Sequence, residues 1–192
     1  MPPFDHFGLL APFYEFFIKP RPPKELLRLA NLPVSGALLD AGGGTGRVAQ
    51  YFRDHTSQVV VADLSCRMLS ESKEKRGLHP VCSHTEKLPF PQGYFERIIM
   101  IDAFHHVCNQ SETARELWRV LKPGGLLIIE EPDVRKFAVK LVAWGEKIAL
   151  MRSHFLAPPE IAALFHDLKA EIIHEQDDHI AWVVMHKNRP SS

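Results

Sequence analysis

The chain has 192 residues, 45% of them hydrophobic and 24% charged, the composition of an ordinary globular domain long enough to bury a substantial core. Lysine plus arginine and aspartate plus glutamate number 23 each, so no overall field gathers nucleic acid or an anionic membrane, and a nucleic-acid partner is not expected. No apolar stretch approaches the roughly 18 residues that a bilayer crossing needs, which leaves no transmembrane segment to expect.

The first segment, MPPFDHFGLLAPFYEFFIKPRPP, is aromatic but interrupted by prolines and by Asp5. It has neither the basic start nor the clean apolar stretch of a secretory signal, and one or two helices are predicted over residues 1–35. Short apolar runs then follow at Ala37 to Leu39, Val59 to Ala62, Ile98 to Ile101 and Leu126 to Ile129, each trailed by a carboxylate: Asp40, Asp63, Asp102 and Glu130. Continuous runs of this kind belong to strands covered on both faces, hence to a parallel sheet flanked by helices. Helical patterns separate them over Thr45 to Asp54, Ser65 to Lys75 and Ser111 to Leu121, the last with Ser111 as its expected cap. LKPGG reads as the turn out of that helix, and a weaker strand fits His79 to Ser83.

Beyond residue 133 the pattern changes. A long helix is expected over Val134 to Met151, a shorter one over PPEIAALFHDL, and two antiparallel strands in EIIHEQDDHIAWVVMHK. The expected fold is therefore α/β, Rossmann-like and doubly wound, with a mostly parallel seven-stranded sheet closed by a C-terminal antiparallel hairpin. It forms one domain over 1–192, divided into N-terminal lid helices (1–35), a cofactor-binding core (36–133) and acceptor-side helices with the hairpin (134–192). Right-handed crossovers bring every parallel strand's C-terminal end to one edge, where ligands of such sheets bind, and that edge is acidic here.

Three cysteines, Cys66, Cys82 and Cys108, form no CxxC pair and leave one over from any disulfide scheme. They read as small buried hydrophobes in a reducing interior, which points to the cytoplasm.

The stretch GALLDAGGGTGRV, residues 36–48, places glycines at Gly42, Gly43, Gly44 and Gly46 at a strand-to-helix turn on the ligand edge. Glycines there permit a sharp turn and a close ligand approach. Asp63, at the end of the second strand, suits the two hydroxyls of a ribose, and the separation of about 20 residues is that of a nucleoside site. The dinucleotide pattern GxGxxG fails, since from Gly42 the final position is Arg47. A sulfonium cofactor, cationic beside its amino-acid tail, is matched by Asp40 and the other acidic strand ends.

LLDAGGGTG, VVADLS, EKLPFPQGYFERIIM, FHHV and ELWRVLKPGGLLIIEEPD resemble, in order, the motifs of class I S-adenosylmethionine-dependent methyltransferases, and in particular the branch of ubiquinone/menaquinone biosynthesis methyltransferases. The resemblance is close over residues 36–133. It implies S-adenosylmethionine as cofactor and S-adenosylhomocysteine as product, with Gly42 to Gly46 at the methionine part, Asp63 at the ribose, Leu64 on the adenine and the backbone around Thr85 at the adenine edge. Asp40 and Ile101 are placed among the same contacts, and APFYEFF resembles the lid segment, making Tyr14 a contact to the polar tail or simply a packed aromatic. Two positions depart from the pattern: His84 stands where an acid usually accepts from the adenine amino group, and Glu96 replaces an aspartate before the fourth strand.

Methyl transfer asks mainly for alignment, plus a base where the acceptor is a phenol or an enolisable carbon. His105 and His106, directly after the fourth strand, are the candidates, set against a helix-start histidine bonded only to backbone. Neither His79, Cys82 and His84 nor His105, His106 and Cys108 supplies the four ligands of a zinc site, so no metal is expected. The helix VRKFAVKLVAWGEKIALMR sets Lys136, Lys140, Lys147 and Arg152 against Phe137, Leu141, Trp144 and Ile148, either a surface for transient lipid contact or an apolar stripe covering sheet or acceptor pocket. The function expected is methyl transfer to a small-molecule acceptor, quinone-like or phenolic. The alternatives are a cofactor-binding regulatory module without catalysis and a nicotinamide-dependent oxidoreductase. The sequence leaves the oligomeric state open.

Overall fold

Leu38 and Leu39 are sequence neighbours and both are fully buried, which a strand achieves only when both faces of its sheet are covered. The computed structural model describes residues 24–133, 154–168, 170–177 and 180–189. The expected lid with Tyr14, and the expected helix bearing Lys136 to Arg152, lie outside the described residues.

The described elements are α1 (Lys24–Leu29), β1 (Ala37–Ala41), β2 (Gln58–Asp63), α2 (Cys66–Lys73), β3 (Leu78–Cys82), β4 (Phe95–Ile101), α3 (Gln110–Val120), β5 (Leu121–Pro132), α4 (Pro158–Ala163), β6 (Glu171–Asp177) and β7 (Ile180–His186). They build a seven-stranded sheet in the order β3-β2-β1-β4-β5-β7-β6. Strands β1 to β5 are mutually parallel, and β7 runs antiparallel to both β5 and β6, so the hairpin closes the sheet as expected. Strand parity divides the core in two. Leu38, Val59, Ile99 and Ile128 face α1, Phe52 and Leu69, while Leu39, Ile98 and Leu127 face Leu117 and Trp118 of α3 and Ile161 of α4. Burying side chains of this size removes about 1.5–3 kcal/mol of unfavourable hydration each, and both faces contribute.

Strand order reverses between β1 and β4, so their C-terminal ends flank a crevice at the topological switch point. The glycine loop leaves β1 there, and Asp102 to His106 leave β4 there. The Arg97 guanidinium locks the opposite end by donating to the carbonyl of Ala30 at 2.5 Å and to that of Asn31. On α3, Glu116 accepts the Leu88 N–H at 2.7 Å while Arg119 donates to the carbonyls of Leu88 and Phe90, which pins the LPFPQGY turn to the helix.

Four local expectations are corrected. Residues 45–54 form turns with a short 3-10 segment, Ala49–Tyr51, rather than an α-helix. Gly46 takes a left-handed φ of 71°, which interrupts a right-handed path, and after one four-residue bond, Gln50 N–H to Gly46, the bonds Tyr51 N–H to Val48 and Phe52 N–H to Ala49 span three residues. Helix α3 is capped by Asn109, whose side-chain oxygen accepts the Glu112 N–H at 3.1 Å, and not by Ser111. Asn109 has the extended backbone that a cap needs. LKPGG belongs to β5: Leu121 pairs with Phe95, and the register then slips so that Leu126 meets Arg97, leaving the prolyl-glycyl residues as an irregularity within the strand.

The cysteines are the fourth correction. Cys66 and Cys82 are joined by a disulfide, with Cα atoms 5.6 Å apart, because β3 lies beside β2 and the first turn of α2 folds back over its end. Cys108 is exposed. The cysteines are thus not three small buried hydrophobes, and their number no longer argues for a reducing interior. Among the described residues no helix is long and apolar enough to cross a membrane.

Candidate functional site

The glycine loop begins where β1 stops pairing. Gly42, Gly44 and Gly46 adopt φ values of 73°, 53° and 71°, a region that side chains with a Cβ avoid. A Cβ on Gly42 would lie 2.6 Å from the Ala103 Cβ, one on Gly43 2.5 Å from Asp40 Cγ, and one on Gly44 2.7 Å from Met68 Cε. These glycines therefore also bring the loop against its own neighbours, beyond the sharp turn and close ligand approach expected from the sequence. The contact between Gly42 and Ala103 seats the loop on the segment that carries the two histidines.

Asp63 ends β2 and orients the loop. Its Oδ2 accepts the Gly44 N–H at 2.9 Å and its Oδ1 accepts the Ser65 N–H at 2.8 Å. The next residue, Leu64, exposes 53% of its surface, an apolar side chain left at the crevice rim. Ser65 caps α2 by accepting the Met68 N–H. Thr85 is buried with its hydroxyl 3.1 Å from that of Thr113, which ties the loop to α3. His84 is exposed, its Nδ1 3.8 Å from Glu86. Ile101, the last residue of β4, packs against the core face shared by Leu38 and Ile99.

Buried acid surrounds the crevice. Burial, and after it the charge of Asp63, raise the Asp40 carboxyl to about 7 against the opposing pull of Arg47 and of the Ala49 N–H. Burial likewise raises Glu130 to about 7, with the indole N–H of Trp182, donating at 2.5 Å, acting the other way. Asp102 takes a positive φ of 50°, and its N–H bonds the Glu130 carbonyl at 3.0 Å, turning the chain sharply into the 3-10 segment Phe104–His106.

His105 and His106 stand together there, ring centroids 3.9 Å apart. His105 is only 4% exposed, and its Nδ1 bonds the Glu131 carboxylate. The other oxygen of Glu131 accepts the N–H groups of Ala103 at 3.1 Å and Phe104 at 2.8 Å. Phe155 stacks on the His105 ring, 4.1 Å away and 14° from parallel. Its segment is held by the His154 N–H donating to the His105 carbonyl at 2.7 Å and by the Gln110 side chain donating to the carbonyls of Phe104 and His154. Burial, and then the neighbouring His105, lower His106 to about 4, so it is neutral at physiological pH.

Glu131, Phe155 and Gln110 had not been singled out. Glu131 had a signal, since in IIEEP two consecutive carboxylates on one strand must face opposite sides of the sheet. Phe155 and Gln110 had none. The metal grouping of His79, Cys82 and His84 is not assembled, because Cys82 is bonded to Cys66, and among the described residues no three His, Cys, Asp or Glu side chains gather as a metal ion would need.

Residues 39–129 match the family described as a methyltransferase domain. Over 115 residues the chain is 35% identical to a ubiquinone/menaquinone biosynthesis C-methyltransferase of Pseudomonas putida, covering 55% of this chain and 45% of that protein. Over 104 residues it is 34% identical to the protein of the same name from Vibrio cholerae, covering 49% and 40%. The chain thus spans about half the length of the curated relatives it matches. Among solved structures it is similar to a SAM-dependent methyltransferase from Aquifex aeolicus, with TM-score 0.70 and 18% identity over 86% of this chain and 89% of that one. It is also similar to the [4+2]-cyclase SpnF, with TM-score 0.71 and 16% identity over 86% and 80%. By its motifs, its strand order and these likenesses, the chain resembles the class I S-adenosylmethionine-dependent methyltransferases, and among them the ubiquinone/menaquinone biosynthesis branch.

Proposed function

We propose that the chain transfers a methyl group to a small-molecule acceptor, phenolic or quinone-like. The observation that carries this reading is the close contact of Gly42 with Ala103, which sets the cofactor loop directly beside the histidine segment. The switch-point residues fit S-adenosylmethionine: Asp40, Asp63 and Glu130 suit a cation, Asp63 is a carboxylate at the strand end of the kind that ribose hydroxyls donate to, and the exposed side chain of Leu64 suits the flat face of adenine. When bound, this cofactor supplies a methyl group on a sulfonium, whose methyl–sulfur pair stays on sulfur as the acceptor's own pair forms the new bond.

The chain's residues then have three tasks. Gly42 to Gly46 and Asp63 hold and orient, Leu64 and the backbone at His84 and Thr85 frame the base, and a histidine after β4 takes the proton that a phenol or enolisable carbon loses. The quinone-like acceptor is inferred from the names of the relatives. Thermal unfolding with S-adenosylhomocysteine tests the reading: ligand at about a hundredfold excess over Kd stabilises by roughly 2.7 kcal/mol. Methyl transfer from labelled S-adenosylmethionine to a panel of phenols and quinols then tests the acceptor class. No stabilisation by S-adenosylhomocysteine overturns the proposal.

The likeness to a protein named for a cyclisation favours a second reading, in which this fold binds the cofactor without transferring its methyl group. Ligand stabilisation with no transfer across the whole panel selects that reading.

A further inference from the structure

We infer that the Cys66–Cys82 disulfide is a redox clasp on the base-binding side of the crevice, and that its reduction by a dithiol weakens cofactor binding. The inference rests on the proposed methyl transfer and concerns the regulation of the same site. Its basis is where the two half-cystines stand. Cys66 opens α2 two residues after Leu64, and Cys82 ends β3 two residues before His84 and three before Thr85. The bond therefore joins the two segments proposed to frame the base. Asp63 and Cys82 are register partners at the ends of β2 and β3, the Ser83 N–H donates to the Asp63 carbonyl at 3.0 Å, and Cys82 Sγ lies 3.5 Å from the Leu64 carbonyl oxygen. Strand β3 is the last on its side of the sheet and is hydrogen-bonded to β2 alone, so the disulfide adds a covalent tie from its end to the first turn of α2. That turn in turn seats the glycine loop, since a Cβ on Gly44 would lie 2.7 Å from Met68 Cε. With the bond open, the ordering of the two segments is no longer imposed in advance and is supplied by ligand binding, which lowers affinity. Both half-cystines are exposed, and exposed disulfides are the labile ones. A dithiol attacks one sulfur as its thiolate and breaks the S–S bond, and its second thiol then resolves the mixed disulfide. The protein gains two electrons and two protons as two thiols, and the reductant leaves as a disulfide.

A disulfide that merely stapled the fold would predict something different. Titration calorimetry with S-adenosylhomocysteine compares the oxidised wild type, the wild type in dithiothreitol, and Cys66→Ser with Cys82→Ser in both conditions, while circular dichroism follows folding at the same temperature. The expected result is a folded reduced chain whose Kd is at least ~10-fold higher than that of the oxidised chain, within the usual range of coupling between sites. The double variant should bind as weakly as the reduced wild type and ignore dithiothreitol. Should it not fold, the reduced wild type carries the comparison. Coupling is reciprocal, so at a fixed ratio of reduced to oxidised dithiothreitol the ligand should shift the thiol–disulfide equilibrium toward the disulfide by the same factor, read by thiol alkylation and mass. Equal Kd in the two redox states, or an equilibrium that the ligand leaves unmoved, overturns the inference. A reduced chain that has unfolded also overturns it, because the bond is then a staple and not a switch. An oxidised wild type that does not bind S-adenosylhomocysteine refutes the proposed function, whereas one that binds equally well when reduced refutes only the clasp.

Discussion

The Gly44 N–H donates to Asp63 Oδ2 at 2.9 Å, so the acid at the end of β2 braces the loop at the end of β1 from across the sheet edge. The same carboxylate takes the Ser65 N–H and so also sets the start of α2. Asp63→Ala removes both bonds together with the proposed ribose acceptor. Stability is expected to fall by about 1.5–3 kcal/mol, the range for hydrogen bonds to charged groups, and affinity for S-adenosylhomocysteine by at least ~10-fold. Urea unfolding and titration calorimetry measure the two effects, and unchanged affinity would remove Asp63 from the site.

Asp40 makes stability depend on pH. Its folded value of about 7 lies above the unfolded value of 3.8, so folding takes up a proton between these limits. The contribution is fully present below 3.8 and is lost as pH rises through about 7, and Glu130 acts in the same direction from 4.5. Asp40→Asn, whose amide oxygen can still accept the Ala49 N–H, should therefore lose less stability than the wild type between about pH 5 and pH 8 in urea unfolding. A sulfonium beside Asp40 favours the ionised carboxyl. Calorimetry in two buffers of different ionisation enthalpy should show more proton release near neutral pH for S-adenosylmethionine than for S-adenosylhomocysteine, and equal release would place the sulfonium away from this acid.

Gly42→Ala tests the junction between loop and histidine segment. The left-handed φ of 73° costs an alanine about 1–2 kcal/mol, and a Cβ 2.6 Å from that of Ala103 must push the two segments apart. We expect a loss of stability above the backbone cost alone and a loss of most of the thermal stabilisation by S-adenosylhomocysteine. Full ligand stabilisation in this variant would show that the junction does not shape the site.

The Cys66–Cys82 disulfide closes a short loop that holds all of α2 and β3, with a sequence separation of 16. Reduction, or Cys66→Ser with Cys82→Ser, is expected to cost about 2–4 kcal/mol. Urea unfolding with and without dithiothreitol should separate the wild type from the double variant, which has no bond to lose. A wild type indifferent to reductant would show that the thiols are not paired in solution.

Much of the fold was legible because it rests on local pattern. The apolar runs at Leu38, Val60, Ile99 and Ile128 identified buried parallel strands, since no half-exposed strand tolerates uninterrupted apolar residues. The last hairpin followed from its polar turn. What failed was decided by one or two backbone angles or by distant neighbours: the left-handed Gly46 that breaks the expected helix, the extended Asn109 that takes the cap from Ser111, and the fold of α2 over β3 that joins two cysteines.

The sequence by itself determined the strand runs, the glycine stretch and the acid at Asp63, because each depends on residue type and spacing within one βαβ unit. Only the tertiary structure decided that Gly42 meets Ala103, that Glu131 and not Glu130 reaches His105, and that Phe155 covers that ring. Those contacts join residues of separate strands and loops. Their distances are set by sheet order, register and strand parity, which no local spacing encodes.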